Sequence, residues 1–225
     1  MMTSHFKFDE TNTFCISLPD SPRWPRMSAR LETIGLSATR WPACHLPEHI
    51  VDPFPEYLSL QQKGCAQSHL NIYKHILATG LQYALVLEDD AMFDPWWRNK
   101  LAMFSCTDVA VYGLWDALFL NASEPAHPHF EWVQATEQYL TAGYIISRRG
   151  VERIMEMHCD TGTRLYFASD WMTTRLQLMS GCYTFFPWLI VQEGQDTNIG
   201  DHLEADHQKV VDCLATVGMT MDGYI

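Results

Sequence analysis

Tyr83-Ala84-Leu85-Val86-Leu87-Glu88-Asp89-Asp90 is the stretch that decides the fold. Its unbroken apolar run is the signature of a strand buried on both faces, as in a sheet covered by helices on either side. The run stops abruptly in three carboxylates, and in open α/β sheets ligands sit beyond the carboxyl ends of such strands. Side chains alternate along a strand, so Glu88 and Asp90 are expected on one side and Asp89 on the other. Three adjacent carboxylates repel one another unless a cation or hydrogen bonds offset them. Hard divalent ions such as Mg²⁺ and Mn²⁺ take oxygen ligands of this type. The same tripeptide also suits a solvated strand end, with Asp89 or Asp90 serving a turn.

Upstream, Gly64 to Thr79 reads as a helix, with Cys65, His69, Ile72 and Ile76 on one stripe and Gly80 as its stop. Thr13 to Leu18 reads as a short buried strand, and Ser21-Pro22 as a helix start for a segment running through Met27 to Leu36. The four prolines between Trp41 and Pro55 mark an irregular connection. Downstream, Asp94-Pro95 opens a helix, with Asp94 as its cap. Val109 to Gly113, Leu140 to Ser147 and Tyr183 to Val191 read as strands, and Arg148 to His158 and Asp170 to Met179 as helices. Gln192 to His207 is a polar, acidic segment. Alternating strands and helices imply an α/β fold with a mostly parallel central sheet flanked by helices.

At 225 residues the chain reads as a single domain with a core over about 13–200 and a C-terminal segment over 201–225. Hydrophobic residues at 47% and charged residues at 19% are those of an ordinary globular protein. A net charge of −12 disfavours nucleic acid and anionic lipid as partners. Seven cysteines without a C-x-x-C pair read as reduced thiols rather than a disulfide frame or a zinc cluster. The polar N-terminus and the lack of a long apolar stretch lead us to expect a cytoplasmic protein with no membrane span.

Lys63-Gly64-Cys65-Ala66-Gln67-Ser68-His69, then Tyr83 to Ala91, then Gly143-Tyr144-Ile145-Ile146-Ser147 together resemble glycosyltransferase family 25, which includes lipooligosaccharide sugar transferases and the collagen galactosyltransferase group. The family's pattern is G-C-x-x-S-H, a helix, an apolar strand ending in E-D-D-A, and a later A-Y-I-I-S strand. The opening strand, followed by Arg23, resembles its I-N-L…R start. Ser17 stands where the family has Asn, and Gly143 where it has Ala. The resemblance implies a GT-A-type nucleotide-sugar-binding fold and a role in lipopolysaccharide-type biosynthesis. It also implies inverting transfer of a hexose from a UDP-sugar, UDP-galactose or UDP-glucose, to a glycan or hydroxyl acceptor.

Within that reading Glu88 and Asp90 hold Mn²⁺ or Mg²⁺, with His202 completing the shell, and the ion bridges the donor diphosphate. Ser17, Arg23 and Asp89 form the donor-binding set, Arg23 because a guanidinium suits phosphate oxygens. Inversion needs a carboxylate to take the acceptor's proton. Asp170, where the family carries an aspartate opening a late helix, is assigned that part, with Asp116 and then Glu137 behind it. Simple helix capping is an equal reading of Asp170, a solvated helix face suits Arg26, and His69 reads first as a core histidine. Two other classes fit the same features: a non-catalytic nucleotide-sugar or glycan-binding domain, and a metal-dependent phosphoesterase on a similar sheet. The phosphoesterase would need more His and Asp ligands at other strand ends than the sequence offers.

Overall fold

In a computed structural model of the chain, residues 6–52, 54–121, 130–136, 141–160, 173, 175–179, 181–194 and 203–225 are described. The elements are β1 (Thr13–Ser17), α1 (Trp24–Thr33), β2 (Thr39–Pro42), α2 (Leu60–Thr79), β3 (Tyr83–Glu88), β4 (Ala91–Phe93), α3 (Trp97–Ser105) and α4 (Asp108–Val111). They continue with β5 (Ala117–Phe119), β6 (Trp132–Gln134), β7 (Gly143–Ser147), α5 (Arg148–Asp160), β8 (Cys182–Phe185), β9 (Ile190–Gln192) and α6 (Leu203–Thr216).

Seven strands form one sheet in the order β2-β1-β3-β7-β5-β8-β6, and β4 pairs with β9 in a small second sheet. The pairs β1–β2, β1–β3 and β5–β8 are parallel, while β7 runs against both β3 and β5 and β6 runs against β8. Five of the seven strands therefore point the same way, which is the mostly parallel, helix-flanked sheet expected. β3 lies near its middle, with Ala84 to Leu87 fully buried. Ala84 and Val86 pack in one apolar layer with Leu70, Tyr73 and Ile76 of α2, and Leu85 and Leu87 in the other with Met27 and Leu31 of α1. The two sides of β3 thus look at two different helices, and this division governs the site at its end.

α2 begins at Leu60, four residues before the expected start at Gly64, because Ser59 and Gln62 form a reciprocal capping box. Its Gly64 is dictated by packing. A Cβ there would lie 2.2 Å from the backbone oxygen of Cys44, so only glycine admits the loop before α2. Gly143 is matched differently: a Cβ would meet the flexible Cδ1 of Ile190 at 2.4 Å, so a bulky neighbour fills the space that an alanine takes elsewhere.

Some expected elements differ. Val109 to Gly113 lies in and just after the helical turn α4 rather than in a strand, because the Thr107 hydroxyl accepts from the Ala110 amide and caps the turn. The strand in this region is β5, three residues inside Trp115–Leu120. Tyr183 to Val191 divides into β8 and β9, which join different sheets. β2 (Thr39–Pro42) runs into the start of the proline-rich connection, as a half-buried edge strand that lacks the apolar run of a central one. The C-terminal segment packs on the domain. Val210, Cys213, Leu214 and Tyr224 join Phe186, Trp188 and Val191 in an apolar cluster, and Ile225 exchanges two 2.8 Å backbone hydrogen bonds with Phe93. Among the described residues, no helix is long and apolar enough to cross a membrane.

Replacing Gly64 with Ala forces this loop apart. We expect a loss on the order of 1–3 kcal/mol, or roughly 2–4 °C of Tm per kcal/mol for a chain of this size, read by thermal denaturation.

Candidate functional site at the end of β3

Each of the three carboxylates at the end of β3 meets a different environment. Asp89 points toward α1 and is 1% exposed. Its Oδ2 accepts from the Ser17 hydroxyl at 2.8 Å and the Ser21 hydroxyl at 2.5 Å. Its Oδ1 accepts from both Nε and an Nη of Arg23 at 2.7 Å. The predicted donor-binding residues Ser17, Arg23 and Asp89 are thus in one cluster, in which Asp89 holds the other two in place. Burial lowers the Arg23 pKa, but the charges of Asp90 and Asp89 outweigh it and leave it above the ordinary value.

Glu88 points the other way, toward α2, as strand alternation requires. Its Oε1 accepts from the Thr141 hydroxyl at 2.5 Å and lies 3.4 Å from Nε2 of His69. His69 is a core residue as expected, fully buried, with Nδ1 2.7 Å from the Tyr144 hydroxyl; that hydroxyl lies 2.8 Å from the hydroxyl of Tyr73. Burial pushes the Glu88 carboxyl up, yet the His69 imidazole and Thr141 hydroxyl win and hold it below the usual range.

Asp90 lies past the last pleated residue, so the turn into β4 places it rather than alternation. It is 8% exposed, and its Oδ1 is buried without a hydrogen-bond partner among the described residues. Its Oδ2 has only a long 3.4 Å contact from the Gln192 amide. Burial first, and then the negative charge of Glu88, raise its pKa to about 7. A buried carboxylate oxygen with nothing to accept, next to a second carboxylate, is a place where a hard divalent cation relieves both desolvation and repulsion. The residues fit a Mn²⁺ or Mg²⁺ ion.

The arginines of α1 complete the rim. Arg26 and Arg30 both converge on Glu193, at 3.2 and 3.0 Å, and the Glu193 amide donates to the Asp90 carbonyl at 2.9 Å. Arg40 stacks on the ring of Trp24 at 4.5 Å and donates to the carbonyl of Leu18 at 2.5 Å. Sequence reasoning did not pick out Glu193, Gln192, Thr141 or the Tyr73–Tyr144 pair. Their chain positions are remote from β3, and a signal exists only in the Tyr of the Gly143–Ser147 motif. Asp170, His202 and Glu137 lie outside the described residues. Asp116 is at the opposite end of the sheet, fully buried between Arg149 (3.0 Å) and Arg153 and closely approached by Gly150 and Gly181. That placement removes it as an alternative base. Asp94 is not the helix cap expected: α3 begins at Trp97 with Trp96 as its N-cap, and Asp94 instead closes the turn before it, accepting from the Trp96 amide at 2.6 Å and pairing with Lys100 at 2.8 Å.

The family model described as glycosyltransferase family 25 (LPS biosynthesis protein) matches residues 11–173. The chain belongs to glycosyltransferase family 25. That match takes in β1, α2, β3 and β7, the elements that build the site. A glycosyltransferase 25 family member of Anopheles gambiae is 29% identical over 112 residues, covering 46% of this chain and 19% of that protein. Another, of Drosophila melanogaster, is 28% identical over 168 residues, or 63% of this chain and 27% of that protein. Procollagen galactosyltransferase 1-B of Xenopus laevis is 32% identical over 107 residues, covering 44% and 17% respectively. The matched stretches are therefore a minor part of these longer family members.

The two aspartates should respond oppositely to loss of charge. Asp90→Asn removes a buried, repelled carboxylate, so without added metal at pH 8 its Tm should rise by a few °C, at about 2–4 °C per kcal/mol. Asp89→Asn strands the Arg23 charge and should lower stability by about 3 kcal/mol or more. Thermal denaturation of both variants at the same pH checks the pair.

Proposed function

We propose that this chain is a metal-dependent hexosyltransferase domain that moves a hexose from a UDP-sugar, UDP-galactose or UDP-glucose, to a hydroxyl of a glycan or other acceptor with inversion. The observation that carries this reading is the buried Oδ1 of Asp90, unpartnered among the described residues, set beside a locked Arg23 at the carboxyl ends of β1 and β3. Family membership supports sugar transfer as the reaction class, and the procollagen galactosyltransferases among the relatives favour galactose.

Asp90 is the residue we assign to a Mn²⁺ or Mg²⁺ ion, with Glu88 adding its charge nearby and His202 a further ligand; when bound, the ion supplies positive charge to the diphosphate of the donor. The chain's own part is to overcome its net charge of −12 at one point. Arg23, fixed by Asp89, Ser17 and Ser21, keeps a positive charge at the strand ends where the diphosphate would lie. Because the guanidinium is already oriented, little side-chain entropy is lost when an anion arrives. Asp89 acts as a positioning residue, since its oxygens are engaged by protein donors. Asp170 is assigned as the base that accepts the proton of the acceptor hydroxyl as that oxygen attacks the anomeric carbon and the nucleotide leaves.

Calorimetric titration with UDP, with and without Mn²⁺, tests the donor site. Wild type should bind in a Mn²⁺-dependent manner and Asp90→Ala should lose that dependence; equal affinity in both would remove the metal assignment. For the base, Asp170→Asn should keep UDP binding and reduce transfer by roughly 10²–10⁴. Transfer that survives within tenfold, about 1.4 kcal/mol, would exclude Asp170. Donor binding with neither transfer nor hydrolysis of any UDP-sugar would instead establish the non-catalytic binding domain.

A further inference from the structure

Cys65 and His69 are one turn apart on α2, so both side chains leave the same face of the helix. That face meets the end of β3. A ligand atom from each of Cys65, His69 and Glu88 lies within 4.8 Å of the other two. Bonds of about 2.0–2.3 Å to a tetrahedral ion place its ligand atoms roughly 3.3–3.8 Å apart. The observed spread comes within about 1 Å of that, and the His69–Glu88 separation of 3.4 Å already matches it.

His69 supplies the second, independent observation. The residue is 0% exposed, and its Nε2 makes no hydrogen bond among the described residues although it faces Glu88 Oε1. Its other nitrogen is anchored on Tyr144, which is anchored in turn on Tyr73. With Nδ1–H donating to Tyr144, and the Tyr144 hydroxyl to Tyr73, Nε2 carries a lone pair. A lone pair 3.4 Å from a carboxylate oxygen is repulsive, and either a proton on Nε2 or a metal ion bound to both groups relieves it. In the other tautomer Nε2–H would donate to Glu88, a bond whose geometry the structure does not provide. Fixing one imidazole nitrogen through a hydrogen bond while the other meets a metal is how proteins orient a metal-ligating histidine.

We propose that Cys65, His69 and Glu88 form a second cation site, separate from Asp90, that takes a zinc-class divalent ion. Thiolate, imidazole and carboxylate together select a borderline-soft cation over Mg²⁺ or Mn²⁺. Binding releases the Cys65 thiol proton to solvent and leaves a thiolate–metal bond. Such an ion fastens α2 to β3 and neutralises Glu88, the carboxylate whose charge Asp90 feels most strongly. The site does not depend on the transfer reaction proposed above.

The test is a titration of the metal-free full chain with Co²⁺, followed by competition of Zn²⁺ against a chromophoric chelator. One equivalent of Co²⁺ should give a thiolate-to-metal charge-transfer band together with tetrahedral d–d bands. Cys65→Ala should remove the charge-transfer band and weaken Zn²⁺ at least about tenfold. Cys65→Ser, which keeps the side chain's size and polarity, should likewise lose the band. Asp90→Ala should keep the thiolate charge-transfer band, which separates this site from the proposed donor site. No thiolate band in wild type, or a band and affinity that survive both Cys65 substitutions, would overturn the proposal.

Discussion

Like charges next to one another in a poorly solvated place must be compensated or neutralised, and the end of β3 confronts the chain with three of them in a row. The solution is a division of labour. Asp89 is turned into a salt bridge with Arg23, strengthened by the hydroxyls of Ser17 and Ser21. Glu88 is given Thr141 and the edge of a buried imidazole. Asp90 receives almost nothing among the described residues, and burial followed by the charge of Glu88 raises its pKa to about 7. The arrangement of α1, α2, β7 and β9 around this point is the way the fold distributes compensation among these groups.

From Asp89 the constraint spreads outward. Arg23 is fixed at the start of α1, and the same helix sends Arg26 and Arg30 to Glu193 at the end of β9. The Glu193 amide returns to the Asp90 carbonyl, closing a loop of polar contacts around the strand ends. Networks of this kind are rigid when satisfied and costly when one member is left out. Asp90 is the member left out. A local rule broken beside a well-satisfied Asp89 is characteristic of functional positions, which are maintained by stability supplied elsewhere in the fold. Membership of glycosyltransferase family 25 gives that unsatisfied carboxylate a chemical context.

The opposite end of the sheet carries a buried carboxylate with a different outcome. Asp116 has two arginines, and two glycines let the backbone close around it. By residue type alone Asp116 and Asp90 are equivalent, each an aspartate beside a buried apolar run. Partners distinguish them, and partners come from α5 in one case and from β9 in the other. Sequence reading could rank Asp116 as a possible base because Arg149 and Arg153 are more than thirty residues away. Similarly, Val109 to Gly113 has the composition of a strand, but the capping hydroxyl of Thr107 and the short run decide for a helical turn.

What the sequence by itself determined is whatever local pattern controls. The apolar run of β3, the α2 stripe with its Gly80 stop and the opposition of Glu88 and Asp89 all follow from periodicity and from backbone preferences within a few residues. The G-C-x-x-S-H, E-D-D-A and Y-I-I-S motifs likewise sufficed to point to the family. Tertiary structure alone decided which carboxylate would be buried with a raised pKa, which paired and which set against an imidazole. Those outcomes depend on Ser17, Ser21 and Arg23 around Asp89, on His69 and Thr141 at Glu88, and on Gln192 and Glu193 near Asp90, residues brought together from separate elements. Electrostatic energy depends on distance in space and on burial, and neither quantity is encoded in the spacing of residues along the chain.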